Sequence, residues 1–229
     1  MTSQVNYYNQ FGNLYRQSIL DCPEPQYWTT DYDVKGRVYR EMKERIDLQE
    51  KLVKEYFTKE QTVLDIGCGF GRQAFSLVSK GYKVKGTDTS DVFIEIAQQL
   101  FSRNGYEGDF TCMDILRENL NGYFNQLLLL DVLEHIKPQQ RRGLFEKLNK
   151  IGGGITLIVS LPHVKKRISS QLNNRIRKRM TRHLPFFVNR EEHPYPIPEK
   201  NNMLKLSKGL FSLYKFIETS QTDYYVFRQ

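Results

Sequence analysis

Val63-Leu64-Asp65-Ile66-Gly67-Cys68-Gly69-Phe70-Gly71 is a hydrophobic run that breaks into three glycines at alternate positions. Such a run predicts a buried strand turning sharply into a helix. Glycine lets the backbone turn and approach a ligand at van der Waals distance, and the helix that follows offers its free N-terminal donors. The glycine spacing separates ligand classes. A dinucleotide fingerprint reads G-x-G-x-x-G, whereas Gly67, Gly69 and Gly71 give G-x-G-x-G with Asp65 two residues ahead of the first glycine. A carboxylate there repels phosphate and suits a ligand carrying an ammonium group. A plain strand-to-helix turn would show the same nonapeptide, so the neighbouring sequence has to decide.

Outward from this stretch, Thr62 to Leu161 alternates short apolar runs with amphipathic segments, the pattern of strands buried on both faces and joined by crossover helices. Strands are predicted at 62–66, 82–87, 109–113, 124–130 and 154–161, and helices at 71–80, 91–103 and 138–150. Two further apolar runs, Phe211–Glu218 and Asp223–Phe227, predict an antiparallel hairpin around Thr219–Thr222. Four successive strands end in acids: Asp65, Asp88 in Gly86-Thr87-Asp88-Thr89, Asp114 in Cys112-Met113-Asp114, and Asp131. Open α/β sheets bind ligands at that edge. Asp88, about twenty residues past the glycines, is placed to accept from both hydroxyls of a ribose. Met113 suits a purine face and Asp114 its exocyclic amine. The ligand implied is nucleoside-like, cationic and free of phosphate.

With these residues in place, the chain resembles class I S-adenosylmethionine-dependent methyltransferases. VLDIGCGFG is similar to their first motif, GTDTS to their ribose-binding acid, MDI to their adenine-binding strand end and LLLLDVLEHI to their fourth-strand motif. The resemblance covers about residues 35–164 and the closing hairpin. It implies a Rossmann-like, seven-stranded, mostly parallel α/β sheet with helices on both faces and an antiparallel last strand between the fifth and sixth. The implied cofactor is S-adenosyl-L-methionine. Asp65, Gly67 and Gly69, with Gly71 completing the turn, would line its methionine part, Asp88 and Thr89 its ribose, Met113 and Asp114 its adenine, and Leu130 and Asp131 the wall beside the sulfonium.

The fourth strand bears on the methyl acceptor. Enzymes acting on exocyclic amines of nucleic-acid bases usually carry an Asn/Asp-Pro-Pro-aromatic stretch there, and this chain has Asp131-Val132-Leu133-Glu134-His135. That version resembles methyltransferases for small molecules, quinones and sugars. His135 is the candidate base for an acceptor hydroxyl, with Glu134 beside it, because an imidazole is largely neutral near pH 7. A histidine that merely caps the turn is the plain alternative. A third reading takes Asp131, Glu134 and His135 as a divalent-metal cluster like that of some quinone methyltransferases. His163 and His193 are secondary candidates.

The chain has 34 Lys and Arg against 26 Asp and Glu, a formal net charge of +8. Lys165, Lys166, Arg167, Arg175, Arg177, Lys178, Arg179 and Arg182 account for all of that excess, with no acid among them. Between them Ile168, Leu172, Ile176, Met180 and Leu184 recur every fourth residue, predicting a basic helical insertion after the fifth strand, a lid over about 165–200. One apolar stripe in a basic field suits an anionic membrane surface, a phosphorylated or lipid-linked acceptor, or an RNA backbone; a lid helix with solvated arginines is the bland reading. His193-Pro194-Tyr195-Pro196-Ile197-Pro198 reads as a stiff extended linker.

Residues 1–60 read as an N-terminal helical cap ahead of a methyltransferase domain at 61–229. Val38, Met42, Ile46, Leu52, Val53 and Tyr56 have helical spacing. The earlier aromatics, Tyr7, Tyr8, Phe11 and Tyr15 among them, suit cap packing or a wall above the pocket, and Arg37 and Arg40 are candidates for the cofactor carboxylate. No run approaches 18 apolar residues, the start MTSQVNYYNQ lacks the charge and hydrophobicity of a secretion signal, and three cysteines show no metal spacing. The expectation is a cytoplasmic enzyme, peripheral to a membrane if the basic segment binds one. It O-methylates a small or lipid-linked acceptor of sugar or quinone type; an RNA or protein methyltransferase gripping its substrate through 165–183 is the alternative.

Overall fold

The computed structural model describes residues 3–30, 36–163 and 195–229. Two helices come first, α1 (Ser3–Leu20) and α2 (Arg37–Tyr56), with a short 3-10 turn at Pro25–Tyr27 between them. Then follow β1 (Val63–Ile66), α3 (Arg72–Val78), β2 (Val84–Asp88), α4 (Asp91–Arg103), β3 (Asp109–Cys112) and β4 (Gln126–Leu130). A 3-10 turn at Leu133–His135 leads to α5 (Pro138–Leu148), β5 (Thr156–Pro162), α6 (Lys200–Ser207), β6 (Ser212–Glu218) and β7 (Thr222–Arg228). The seven strands form one sheet in the order β3-β2-β1-β4-β5-β7-β6. β1 to β5 pair in parallel, and β7 runs antiparallel between β5 and β6.

The apolar runs form strands because alternate residues are needed on opposite faces. Leu64, Ile66, Leu127, Leu129, Leu157, Val159, Tyr225 and Phe227 pack on one side with Leu144, Phe145 and Leu148 of α5 and Met203 of α6. Val63, Leu128, Ile158, Tyr224 and Val226 face the other side, against Leu52 and Val53 of α2 and Leu77 of α3. With both faces covered, the strands read as continuous hydrophobic stretches. A third cluster joins Ile19 and Trp28 of the N-terminal region to Ala74, Phe93, Ala97 and Phe101 of α3 and α4.

Local signals mark several boundaries. Ser90 caps α4, its Oγ accepting from Phe93 N at 3.1 Å, and Pro138 opens α5 where no donor is required. The β6–β7 turn is closed by Thr219 N and Oγ1, donating to Thr222 O at 3.2 and 2.7 Å.

Two helices depart from the sequence reading. α1 falls in the aromatic, polar start of the region read as a helical cap, where no individual helix was placed, and α6 follows directly on the linker read as extended. The basic segment 165–183 and His193 lie outside the described residues.

Candidate active site

The carboxyl ends of β1, β2, β3 and β4 open into one cleft of about 960 Å³ beneath α1 and α2. That volume lies at the upper end of small-molecule sites. Asp65, Gly67, Gly69, Asp88, Thr89, Met113, Asp114, Leu130, Asp131 and His135 all line it. Gly67 and Gly69 take φ of 72° and 55°. A Cβ on Gly67 would lie 2.5 Å from Val132 Cγ2, whereas one on Gly69 would meet nothing nearer than 3.9 Å. Gly67 is therefore fixed by packing, and the space over Gly69 is left for a ligand.

Asp65 is 2% exposed, and its Oδ2 is buried with no hydrogen-bond partner among the described residues. Burial, and secondarily the charge of Asp88, pushes its carboxyl up to about 7. Asp88 accepts from Gly69 N and Ser90 N at 2.9 Å each, bonds that oppose the larger effect of burial, which raises its pKa. These two acids at the ends of adjacent strands form an uncompensated negative pocket. Such a pocket is complementary to a cation with hydroxyl donors beside it. Met113 donates its N–H to Asp88 O at 2.8 Å, which sets the end of β3 beside the end of β2. Asp114 makes a local turn, accepting from Leu116 N at 2.9 Å, with Arg117 Nε 3.3 Å from its carboxylate.

At the end of β4, Asp131 adopts φ 55°, rare for a residue with a side chain. Its N–H faces Ser160 Oγ at 3.1 Å, and its carboxylate accepts from that hydroxyl at 2.8 Å and pairs with Arg45 of α2. His135 is half-buried on the 3-10 turn that follows, with the Tyr8 hydroxyl 3.1 Å from each ring nitrogen and the two rings at 86°.

Several expected placements differ. Glu134 is fully buried and does not line the cleft; burial raises its carboxyl to about 7 against the opposing charges of Arg45 and Arg141. Asp131, Glu134 and His135 do not converge: Asp131 faces Arg45 and Ser160, Glu134 the interior and His135 Tyr8. Among the described residues no group of three or more His, Cys, Asp or Glu side chains is placed to hold a metal ion. Gly71 lies outside the cleft lining, its Cα directed at Ala97 and Phe110. Arg37 is exposed and paired with Glu41 at 3.3 Å, and Arg40 is exposed; neither lines the cleft. His163 pairs with Asp223 at 2.7 Å beside a separate cavity of about 370 Å³.

Two arginines that the sequence reading missed take the inward places. Arg45 is one. The other, Arg72 at the first turn of α3, donates to Trp28 O at 2.9 Å and lies over the Phe70 ring. Burial, with the like charge of Arg45 adding to it, lowers Arg72 to about 9, and its Nε is buried without a partner among the described residues. Sequence offers one signal for it, its place directly after the glycine turn.

Residues 63–151 match a family model described as a methyltransferase domain. The match spans β1 to β4 and α5. Ubiquinone biosynthesis O-methyltransferase from Chromobacterium violaceum is 32% identical over 96 residues, 41% of each chain. Its counterpart from Nitrosomonas europaea is 29% identical over 79 residues, 34% of each. The chain thus spans between a third and a half of the length of these relatives. Magnesium protoporphyrin IX methyltransferase from Synechocystis PCC 6803, solved with bound S-adenosylhomocysteine, superposes with a TM-score of 0.68 at 18% identity, covering 98% of this chain and 97% of that one. An N-methyltransferase from Bradyrhizobium japonicum, also with S-adenosylhomocysteine, gives 0.61 at 15% identity over 95% and 98%. These likenesses establish the Rossmann-like fold.

Proposed function

We propose that this chain transfers a methyl group from S-adenosyl-L-methionine to a hydroxyl of a small or lipid-linked acceptor of quinone or sugar type. The observation that carries the reading is Asp65, a buried carboxyl whose Oδ2 has no hydrogen-bond partner among the described residues, beside Asp88 at the same sheet edge. Asp65 would receive the cofactor ammonium, and Asp88, with Thr89 next to it, the ribose hydroxyls. Met113 and Asp114 would hold the adenine, and Leu130 and Asp131 would wall the reacting end. Arg72, buried and with its Nε without a partner among the described residues, is the group suited to the cofactor carboxylate.

When bound, the cofactor supplies an activated methyl on sulfonium. The chain has then to align an acceptor and take its proton. His135 is the base in this reading, since it lines the cleft directly past Leu130 and Asp131. Glu134, buried in the same turn, acts behind His135 and not on the acceptor. The relatives' names, ubiquinone biosynthesis O-methyltransferases, support a ring hydroxyl as acceptor. The basic stretch 165–183 would meet an anionic headgroup or a phosphorylated acceptor. Among the described residues no helix is long and apolar enough to cross a membrane.

The test is calorimetric titration of the whole chain with S-adenosylmethionine, followed by label transfer from the methyl-labelled cofactor into fractionated cell extract. Micromolar or tighter binding, an affinity loss of about 1–3 kcal/mol in Asp88→Ala, and label in the organic or saccharide fraction are expected. Absence of binding overturns the cofactor assignment, and label confined to RNA or protein overturns the acceptor class.

A further inference from the structure

We infer that Gln73 binds the amino-acid end of the cofactor, its side-chain amide accepting from the ammonium and donating to the carboxylate. The inference rests on the proposed cofactor and adds to its site a residue beyond the strand ends and the glycine turn.

Register places Gln73 over Asp65. Val63 of β1 and Leu77 of α3 pack in one cluster, on the face of the sheet that α2 covers. Asp65, two residues on from Val63, points to that same face, and Gln73, one turn back from Leu77, points down to it. α3 runs back against β1 because it connects two parallel strands. Two residues of strand advance about 6.6 Å and four of helix about 6 Å, so both steps arrive together at the carboxyl edge. There both side chains line the cleft.

Gln73 is 6% exposed, and neither its Oε1 nor its Nε2 has a hydrogen-bond partner among the described residues. A primary amide has two protons to give and an oxygen to accept with, and buried groups of this kind are almost always paired. Elsewhere the fold keeps that rule. The buried amide of Gln126 donates to Thr58 O at 3.0 Å and Gln61 O at 3.1 Å and accepts from Thr58 N. On α3 itself the buried Ser76 gives its hydroxyl proton to Glu50 of α2.

The chemistry of the missing partner follows from the charges beside it. Asp65, once ionised, only accepts, and Arg72 only donates. An α-amino acid presents the complement of both, with more ammonium protons than Asp65 Oδ2 can take and more carboxylate lone pairs than Arg72 Nε can fill. The Gln73 amide serves either end without adding charge to the pocket. A phosphate would use only its N–H protons and be repelled by Asp65, and a neutral sugar hydroxyl would leave the Asp65 charge unmet.

The experiment compares the whole wild-type chain with Gln73→Leu, using S-adenosylhomocysteine and 5′-methylthioadenosine, a thioether of the same nucleoside without the amino acid. In calorimetric titration the variant should bind S-adenosylhomocysteine about tenfold or more weakly, the usual size of hydrogen bonds to charged groups. Millimolar 5′-methylthioadenosine should shift the Tm of both chains equally. The ligand-free Tm of the variant should match or exceed that of the wild type, since an unmet buried amide has been replaced by an apolar group. Unchanged affinity for S-adenosylhomocysteine overturns the inference, as does a loss shared by 5′-methylthioadenosine. A ligand-free Tm well below the wild type's overturns it as well, because it shows the amide to be satisfied within the fold. If leucine does not fit, Gln73→Met, which keeps the unbranched shape, is read by the same three criteria. A wild type that binds neither nucleoside sinks the proposed function, whereas a wild type that binds S-adenosylhomocysteine and a variant that follows it sink the role of Gln73 alone.

Discussion

Asp65 ionises in two very different settings. In the unfolded chain its carboxyl titrates near the ordinary 3.8, and in the fold burial, then Asp88, lifts it to about 7. Between those values the folded protein keeps a proton that the unfolded chain has lost, so this group's stabilising share is complete below about pH 4 and gone above about pH 7. Above pH 7 the cofactor-free protein carries a buried bare carboxylate, at a cost on the order of 2–4 kcal/mol. Asp65→Asn should therefore raise the Tm of the cofactor-free protein at pH 8 in scanning calorimetry while weakening S-adenosylmethionine binding. In the wild type, affinity should climb between about pH 6 and 7.5 as Asp65 ionises, and the asparagine variant should flatten that rise; a slope retained in the variant assigns it to another group. His135→Ala should lower turnover by on the order of 10² or more with cofactor affinity intact, and unaltered turnover removes His135 from the chemistry. The places of Asp65, Asp88, Asp114, Asp131 and His135 at the cleft were legible in sequence because each lies within a few residues of a strand's carboxyl end, and strand ends have a known place. Arg45 and Arg72 were not, because which cap-side cation points inward depends on how α2 docks, and Arg37 and Arg40 have the same local chemistry.

Besides its apolar packing on the sheet, helix α2 brings a guanidinium to the end of β4. Arg45 pairs with Asp131 at the end of β4 and opposes the charge of Glu134, which burial has already lifted to about 7. Removing it leaves Asp131 without its cation and Glu134 with one opposing charge fewer. Arg45→Met should cost about 2–4 kcal/mol in urea unfolding, the lower part of the range for a broken buried pair because Asp131 is partly exposed. Adding Asp131→Asn should recover part of that loss in a double-mutant cycle; strict additivity would show that the two side chains do not act as a pair. The same dependence on docking explains which elements could be read in advance. α4 announces itself through its Ser90 cap and a long apolar period, and β4 through four consecutive leucines. α1 does not: it has no acid in its first turn and carries Gly12 mid-helix, a poor helix former. Its stripe of Tyr8, Phe11, Tyr15 and Ile19 gains its purpose only from Phe93 and Trp28, across the chain. α6 was hidden for a similar reason, since Met203, its one fully buried apolar side chain, reaches the core from a polar stretch behind three prolines.

At the scale of the molecule the charge is partitioned. The cleft is ringed by acids at the strand ends, and the chain's formal excess of +8 sits in eight basic residues between Lys165 and Arg182. An acid-lined cleft attracts a cationic cofactor, whereas a concentrated basic stretch attracts anions. Each basic residue near an anionic bilayer contributes on the order of 1 kcal/mol, enough in sum to hold a protein at a surface that also carries lipid-linked acceptors. The whole chain should therefore float with vesicles containing phosphatidylserine at low salt and not with neutral vesicles. Reversing charge at Arg175 and Arg179 should release it, as should salt well above physiological strength, where the screening length falls to about 3 Å at 1 M. S-adenosylmethionine affinity should be unaffected by the reversal, because the residues assigned to the cofactor are those of the strand ends and the start of α3. A wild type that stays at the bottom of the gradient in low salt would end the membrane idea and leave a phosphorylated soluble acceptor as the anion for which this stretch is charged.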